Sequence, residues 1–290
     1  MIVSLQLGAS LLHAQTDVFL PDHEFLHSIN LSSYYLNDVE QLFQNPSSLT
    51  YKENKEIFLM IQEQAWDYQQ SHLAFIFPLQ NFTFGVSIAN FANNKIHLSP
   101  QTPPDIKPMI TDYFNHQINT SSISISSYKW AFNPSLKLSY IAQKLADQNA
   151  AALSLDIGSM YWVNETFWLG AYSRYLNQPH LLWNKSNIAE KKTAEFIFES
   201  GLQFHSSAYR ISATNKYARI SSEWVYKLLS LRPDIVLNLN NKEIRTDIVR
   251  YGLGVSIAYK KAIFIYNYLV YHHQDLGEQR NQFGLTWIWN

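Results

Sequence analysis

The sequence predicts an all-β protein, an antiparallel transmembrane β-barrel of about fourteen strands preceded by a short N-terminal helix. Three observations predict it. The first is alternation of period two in the C-terminal part, where Val249, Tyr251, Leu253, Val255, Ile257 and Tyr259 fall on one face and Arg250, Gly252, Gly254, Ser256, Ala258 and Lys260 on the other. The second is that no stretch reaches the roughly 18 consecutive apolar residues of a spanning helix, so a membrane location requires a closed sheet whose backbone groups pair among themselves. The third is a rhythm of tight and long connections, as short periplasmic turns and longer outer loops would give.

From the N-terminus, Ile2 to Leu12 is mostly apolar and is followed by His13-Ala14-Gln15, which reads as an export signal over residues 1–14 with cleavage before Gln15. Residues 15–54 form an N-terminal segment. Within it Leu36, Val39, Leu42 and Phe43 recur at near-helical spacing between Tyr35 and Phe43, and Asn45-Pro46 stops the turn. That stretch reads equally as a lumen-plugging or periplasmic helix and as an irregular arm on the barrel rim.

Residues 55–290 supply the barrel. Strands are expected near 55–64, 71–78, 81–91, 120–130, 134–142, 150–162, 166–176, 193–204, 207–214, 219–228, 234–240, 246–259, 262–271 and 281–289. Leu79-Gln80, Ala131 to Asn133, Val163 to Glu165, His205-Ser206 and Lys260-Lys261 are the tight turns, while Ala92 to Asn119 and Asn177 to Lys192 are long loops. The proline-rich run Pro100-Gln101-Thr102-Pro103-Pro104 belongs to the first of these.

The alternation recurs in other strands. Phe82, Phe84, Val86 and Ile88 interleave with Thr83, Gly85, Ser87 and Ala89; Leu153, Leu155 and Ile157 with Ser154, Asp156 and Gly158. In the last strand Phe283, Leu285, Trp287 and Trp289 share a face. Phe196, Phe198, Leu202 and Phe204 oppose Glu195, Glu199 and Gln203, so the carboxylates are expected inside, paired with cations such as Arg174, Arg250 or Lys260, because an unpaired charge away from water is costly. A polar solute path is the sharper alternative. A β-sandwich would alternate in the same way with its polar face in bulk water.

Composition narrows the function classes. A net charge of −1 gives no basic footprint for nucleic acid, and the absence of cysteine excludes disulfides and thiolate metal sites. No catalytic, cofactor-binding or metal-binding residues are assigned: there is no G-x-S-x-G elbow, no phosphate-binding glycine loop, and the adjacent His272 and His273 would point to opposite faces of a strand. The chain reads as a non-enzyme without cofactors.

Three segments resemble the PorV/PorQ-type family of outer-membrane proteins. Gln44-Asn45-Pro46-Ser47-Ser48-Leu49 is similar to the family's N-P-A-G-L ahead of the first strand, Leu136 to Leu176 follows its strand-turn-strand order, and Asp275-Leu276-Gly277 with Gln279-Arg280 is similar to its D-L-G-x-x-H-R. A related group, the PorP/SprF type, shares the strand-turn-strand pattern. The resemblance implies a fatty-acid-transporter-like barrel in the bacterial outer membrane, associated with type IX secretion and protein transport. It would act by binding exported cargo or partner subunits, with membrane lipid around it. The alternative is a channel for hydrophobic small molecules.

Overall fold

The computed structural model describes residues 43, 45–51, 54–64, 68–98, 112–184, 189–239, 248–273 and 276–289. Sixteen strands form one antiparallel sheet: β1 (Lys55–Gln64), β2 (Tyr68–Pro78), β3 (Phe82–Leu98), β4 (Asp112–Ser127), β5 (Ser135–Leu145), β6 (Gln148–Trp162), β7 (Phe167–Arg174), β8 (His180–Trp183), β9 (Ala189–Lys191), β10 (Glu195–Gln203), β11 (Ser207–Ala213), β12 (Tyr217–Tyr226), β13 (Leu229–Asn238), β14 (Ile248–Tyr259), β15 (Ala262–His273) and β16 (Leu276–Trp289). The short β8–β9 hairpin stands apart. The other fourteen pair with their sequence neighbours, with β7 bonded to β10, and β1 bonded to β16 closes the ring. Closure leaves no open edge around the barrel wall.

The two faces of the wall sort as the alternation requires. Tyr251, Leu253, Ile257 and Tyr259 are exposed, whereas Arg250 and Gly254 are buried. Large apolar side chains point outward and stand exposed to a degree that only a bilayer would satisfy, among them Phe198 at 65% and Tyr226 at 71%. Inward-facing positions carry Gln62, Thr83, Ser87, Ser124, Arg210, Arg219, Asp234 and Gln282, all buried. A sandwich would place such polar residues in bulk water, so the sandwich alternative falls.

Four expectations need correction. The loop expected over 92–119 is partly strand: β3 continues to Leu98 and β4 starts at Asp112, with a register shift between Asn93 and Ile96. The run from Pro100 to Pro104 lies outside the described residues. The loop expected over 177–192 holds the β8–β9 hairpin, which bonds to β6 where β7 has ended, through Ala150↔Trp183 and Ala151↔Leu182. An added strand thereby covers backbone groups that β7 is too short to reach. Finally, β13 starts at Leu229, after a tight Lys227-Leu228 turn, and β16 starts at Leu276, so the Leu-Gly motif lies within the strand and not before it.

The expected signal over 1–14 and the helix over Tyr35 to Phe43 fall outside the described residues, apart from Phe43 itself. Among the described residues between Phe43 and β1, Pro46–Tyr51 forms a 3-10 segment.

Candidate functional site: a polar lumen with a buried plug

The Pro46–Tyr51 segment lies inside the barrel. Asn45, Ser47 and Leu49 are each fully buried. Asn45 folds back on its own chain, its Oδ1 accepting from the Ser47 N–H at 3.1 Å and from the Ser47 hydroxyl at 2.5 Å, an Asx-type turn that presets the 3-10 path. Its Nδ2 donates to Glu199 Oε2 at 3.5 Å, and the Ser126 hydroxyl donates to the Pro46 carbonyl. The wall is thinned to admit this segment: a Cβ on Gly158 would stand 2.6 Å from Asn45 Oδ1. On the other side Leu49 enters an apolar pocket of Phe58, Met60, Ala74, Ile76 and Ile265, against which Phe43 also packs. The inward face of β1 is therefore apolar at Phe58 and Met60, where a polar lumen wall would be expected.

Beside the plug, buried charges pair across strands. Glu199 Oε1 accepts from Arg210, whose guanidinium lies 5.7 Å from the centre of the Trp168 ring. Trp168 in turn packs on Gly201, where a Cβ would meet the indole at 2.5 Å. Asp234 Oδ2 accepts from Arg219 Nε at 3.1 Å and from Arg250 Nη2, and all three side chains are buried. Arg174 stands 3.8 Å from Glu195 and 5.5 Å from the Tyr172 ring. Lys137 lies 3.9 Å from Asp156. Neutral amides continue the pattern, Asn267 donating to Gln282 at 3.2 Å and Gln282 to Gln62. Each pair joins neighbouring strands of the wall, so the polar side chains of the interior reinforce the ladder from within.

Toward the other end the β8–β9 hairpin continues the wall beside β6 and turns Leu181 inward. Leu181 is fully buried against Ile141 and Ala150, with Tyr175 and Trp183 packed around them. Lys192 closes the hairpin through its N–H to the Pro179 carbonyl at 3.0 Å and its ammonium to Glu190 at 2.7 Å. Beside Phe43 lies a cavity of about 90 Å³ lined by Phe43, Gln70, His72, Gln143 and Lys192.

Of the cations expected to pair with the lumen carboxylates, Arg174 and Arg250 do so, with Glu195 and Asp234. Lys260 does not. It occupies the β14–β15 turn with a positive φ of 54°, exposed, its ammonium 5.4 Å from the Tyr259 ring centre. Arg210 and Arg219, the partners of Glu199 and Asp234, were missed; both sit at inward positions of their strands, a signal that was present. His272 and His273 end β15, their backbones opposite Gly277 and Leu276. Among the described residues no group of three His, Cys, Asp or Glu side chains converges to hold a metal, and no helix is long and apolar enough to cross a membrane.

Closed ring, lipid-facing apolar belt and plugged polar interior define a β-barrel of the bacterial outer membrane. A family model described as "Type IX secretion system membrane protein PorP/SprF" matches residues 27–217, well over half of the chain, and the chain belongs to that family. The type IX association implied by the PorV/PorQ-like motifs therefore stands, carried by the related PorP/SprF group. Among solved structures, the chain is similar to the toluene transporter TodX of Pseudomonas putida, with 11% identity and a TM-score of 0.65 over 89% of this chain and 95% of that one. It is also similar to a Pseudomonas aeruginosa FadL homologue, with 10% identity and a TM-score of 0.59 over 90% and 96%. At such identities the likeness is one of fold. No curated protein matches the sequence.

Proposed function

We propose that the protein serves the type IX secretion apparatus as a binding component, a barrel fixed in the outer membrane that engages partner subunits or exported cargo and performs no chemistry. The observation that carries this reading is the obstructed lumen. Asn45, Ser47 and Leu49 are fully buried inside the barrel toward its tight-turn end, and the cavity beside them that Phe43, Gln70 and His72 line is small, about 90 Å³. A barrel whose interior is filled by its own segment contributes through its surfaces. The extensions of β3 and β4 and the β8–β9 hairpin, which rise where the two long loops were expected, are the partner surface on this reading.

The test removes 177–192 in a replacement by a short turn, with a heat-modifiable band on an unboiled gel as proof of folding. Co-purification of secretion-system subunits from the native membrane should fall several-fold, with cargo release. Unchanged co-purification and release from a folded variant would refute the reading.

A second reading, carriage of a hydrophobic small molecule, draws on the apolar pocket of Phe58, Met60, Ile76 and Ile265 and on the fold shared with a toluene transporter. It requires Leu49 to leave that pocket. Uptake of toluene into liposomes bearing the full-length protein would favour it; its absence, together with lost co-purification in the hairpin variant, would favour the binding component.

A further inference from the structure

The tight-turn rim carries a repeated pair. Tyr128-Lys129, Tyr226-Lys227 and Tyr259-Lys260 each open a turn at this end of the barrel, between β4 and β5, β12 and β13, and β14 and β15. In the latter two the ammonium lies over the ring of the preceding tyrosine, 5.3 Å from its centre for Lys227 and 5.4 Å for Lys260. The backbone is shaped for this: both lysines take a positive φ of 54°, the left-handed conformation that turns the chain sharply enough to fold the side chain back over the ring.

The two turns are neighbours. The Ala258 N–H donates to the Leu228 carbonyl at 2.8 Å, linking the tips, and the Ile288 N–H donates to the Lys261 carbonyl at 2.8 Å, linking the second tip to the end of β16. Lys55 opens β1 opposite Trp289 of β16. Lys227, Lys260, Lys261 and Lys55 thus form one arc, all exposed. The carboxylate among the described residues of that arc, Glu56, is 4% exposed and points inward. A cationic arc in a chain of net charge −1 is a local feature and not an expression of overall composition.

We propose that this arc is a binding site for the phosphodiester of an anionic glycerophospholipid in the periplasmic leaflet of the outer membrane. The rings decide between a lipid and an acidic protein. Tyr226 continues the outward row of Trp224, and Tyr259 that of Ile257, all four exposed on the lipid-facing side. Ammoniums stacked on those rings stand on the flank of the barrel, at the depth of the headgroups, where tyrosine and lysine place an apolar body in the membrane and a polar tip at its surface. A protein docking from the periplasm would meet the ends of the turns instead. Two ammoniums about a phosphate, with Lys261 and Lys55 flanking, also favour a net-negative headgroup over a zwitterionic one.

The experiment uses the full chain folded in detergent micelles, with bound lipids counted by native mass spectrometry after addition of phosphatidylglycerol or phosphatidylcholine. The wild type should prefer phosphatidylglycerol by about tenfold or more, since each lysine near a charged surface contributes on the order of fivefold. K227Q/K260Q/K261Q should fall to the phosphatidylcholine level, while K144Q, at the opposite end, leaves the preference intact. Y226L/Y259L keeps every charge and should lose part of the preference, a few-fold, by freeing the ammoniums from their rings. Should the triple variant fail to give a heat-modifiable band, K227Q and K261Q singly read the same quantity. Equal retention of the two lipids by the wild type, an undiminished preference in the triple variant, or displacement of phosphatidylglycerol by an equal concentration of inorganic phosphate would each overturn the proposal.

Discussion

Replacing Asp234 by alanine tests whether the lumen charges hold the barrel together. Its Oδ2 accepts from Arg219 at 3.1 Å and from Arg250, and the two guanidiniums are 1% and 0% exposed. Deleting the carboxylate takes from two buried guanidiniums the anion that they share. Breaking one buried pair by removing a partner costs about 3–5 kcal/mol, because the remaining charge keeps its desolvation penalty without its attraction. The loss of attraction for two cations at once raises the cost, and their other contacts and water reaching the vacated space lower it, so a loss of about 3–5 kcal/mol is the expected net. The room for relaxation is small: a Cβ on Gly252 would already stand 2.5 Å from Asp234 Oδ1, which shows how closely the carboxylate fills its site. Urea unfolding in micelles, followed by tryptophan fluorescence and the gel shift, should show D234A unfolding at least about 1 M earlier, taking a slope of roughly 1–3 kcal/mol per M. R219M/D234M/R250M, which removes all three charges together, should be less destabilised than D234A, since an apolar triad carries no desolvation penalty. A D234A barrel within about 1 kcal/mol of the wild type, or a triple variant weaker than the single one, would refute the reasoning.

Three further outcomes rest on the same geometry. N45A removes the acceptor for both Ser47 donors and the contact to Glu199, and should loosen the plug by about 1–3 kcal/mol, read as faster proteolysis of the N-terminal segment in an otherwise folded barrel. G201A drives a methyl into the Trp168 indole at 2.5 Å and should destabilise by about 1–3 kcal/mol in urea, with a shift in the tryptophan emission that D234A does not share. L253K, on the outward face at 45% exposure and six residues from the headgroup-level Tyr259, should lower stability by about 2–4 kcal/mol in lipid vesicles, as a charge near the bilayer midplane does, and by far less in a charged-detergent micelle.

Strand number and facing were legible because lipid enforces the alternation. Val249 to Tyr259 or Phe82 to Ala89 must hide every second side chain from water, and a slip of one residue would reverse both faces. Where that pressure ends, so does the signal: Asn93-Asn94-Lys95, within the extension of β3, is polar at every position, and the sequence there reads as loop although the backbone goes on pairing. The interior was legible as chemistry but not as partners. Glu199 meets Arg210, and Asp234 meets Arg219 and Arg250, only through the registers that set Gly201 opposite Arg210, Ser221 opposite Asp234 and Val236 opposite Arg250, and register is fixed by turns whose form the sequence states weakly. Lys260 shows the error this permits, since a residue continuing the inward row at the end of a strand belongs to the turn once the hairpin reverses. The plug has a different cause. Phe58 and Met60 face inward yet are apolar, which breaks the polar-in rule for β1; the rule fails there because Leu49 and Phe43 bring an apolar surface into the lumen from outside the strand pattern. An inward apolar position on a barrel strand is thus evidence of something lodged against it, and the Asn45-Pro46 turn nearby was the segment to look for.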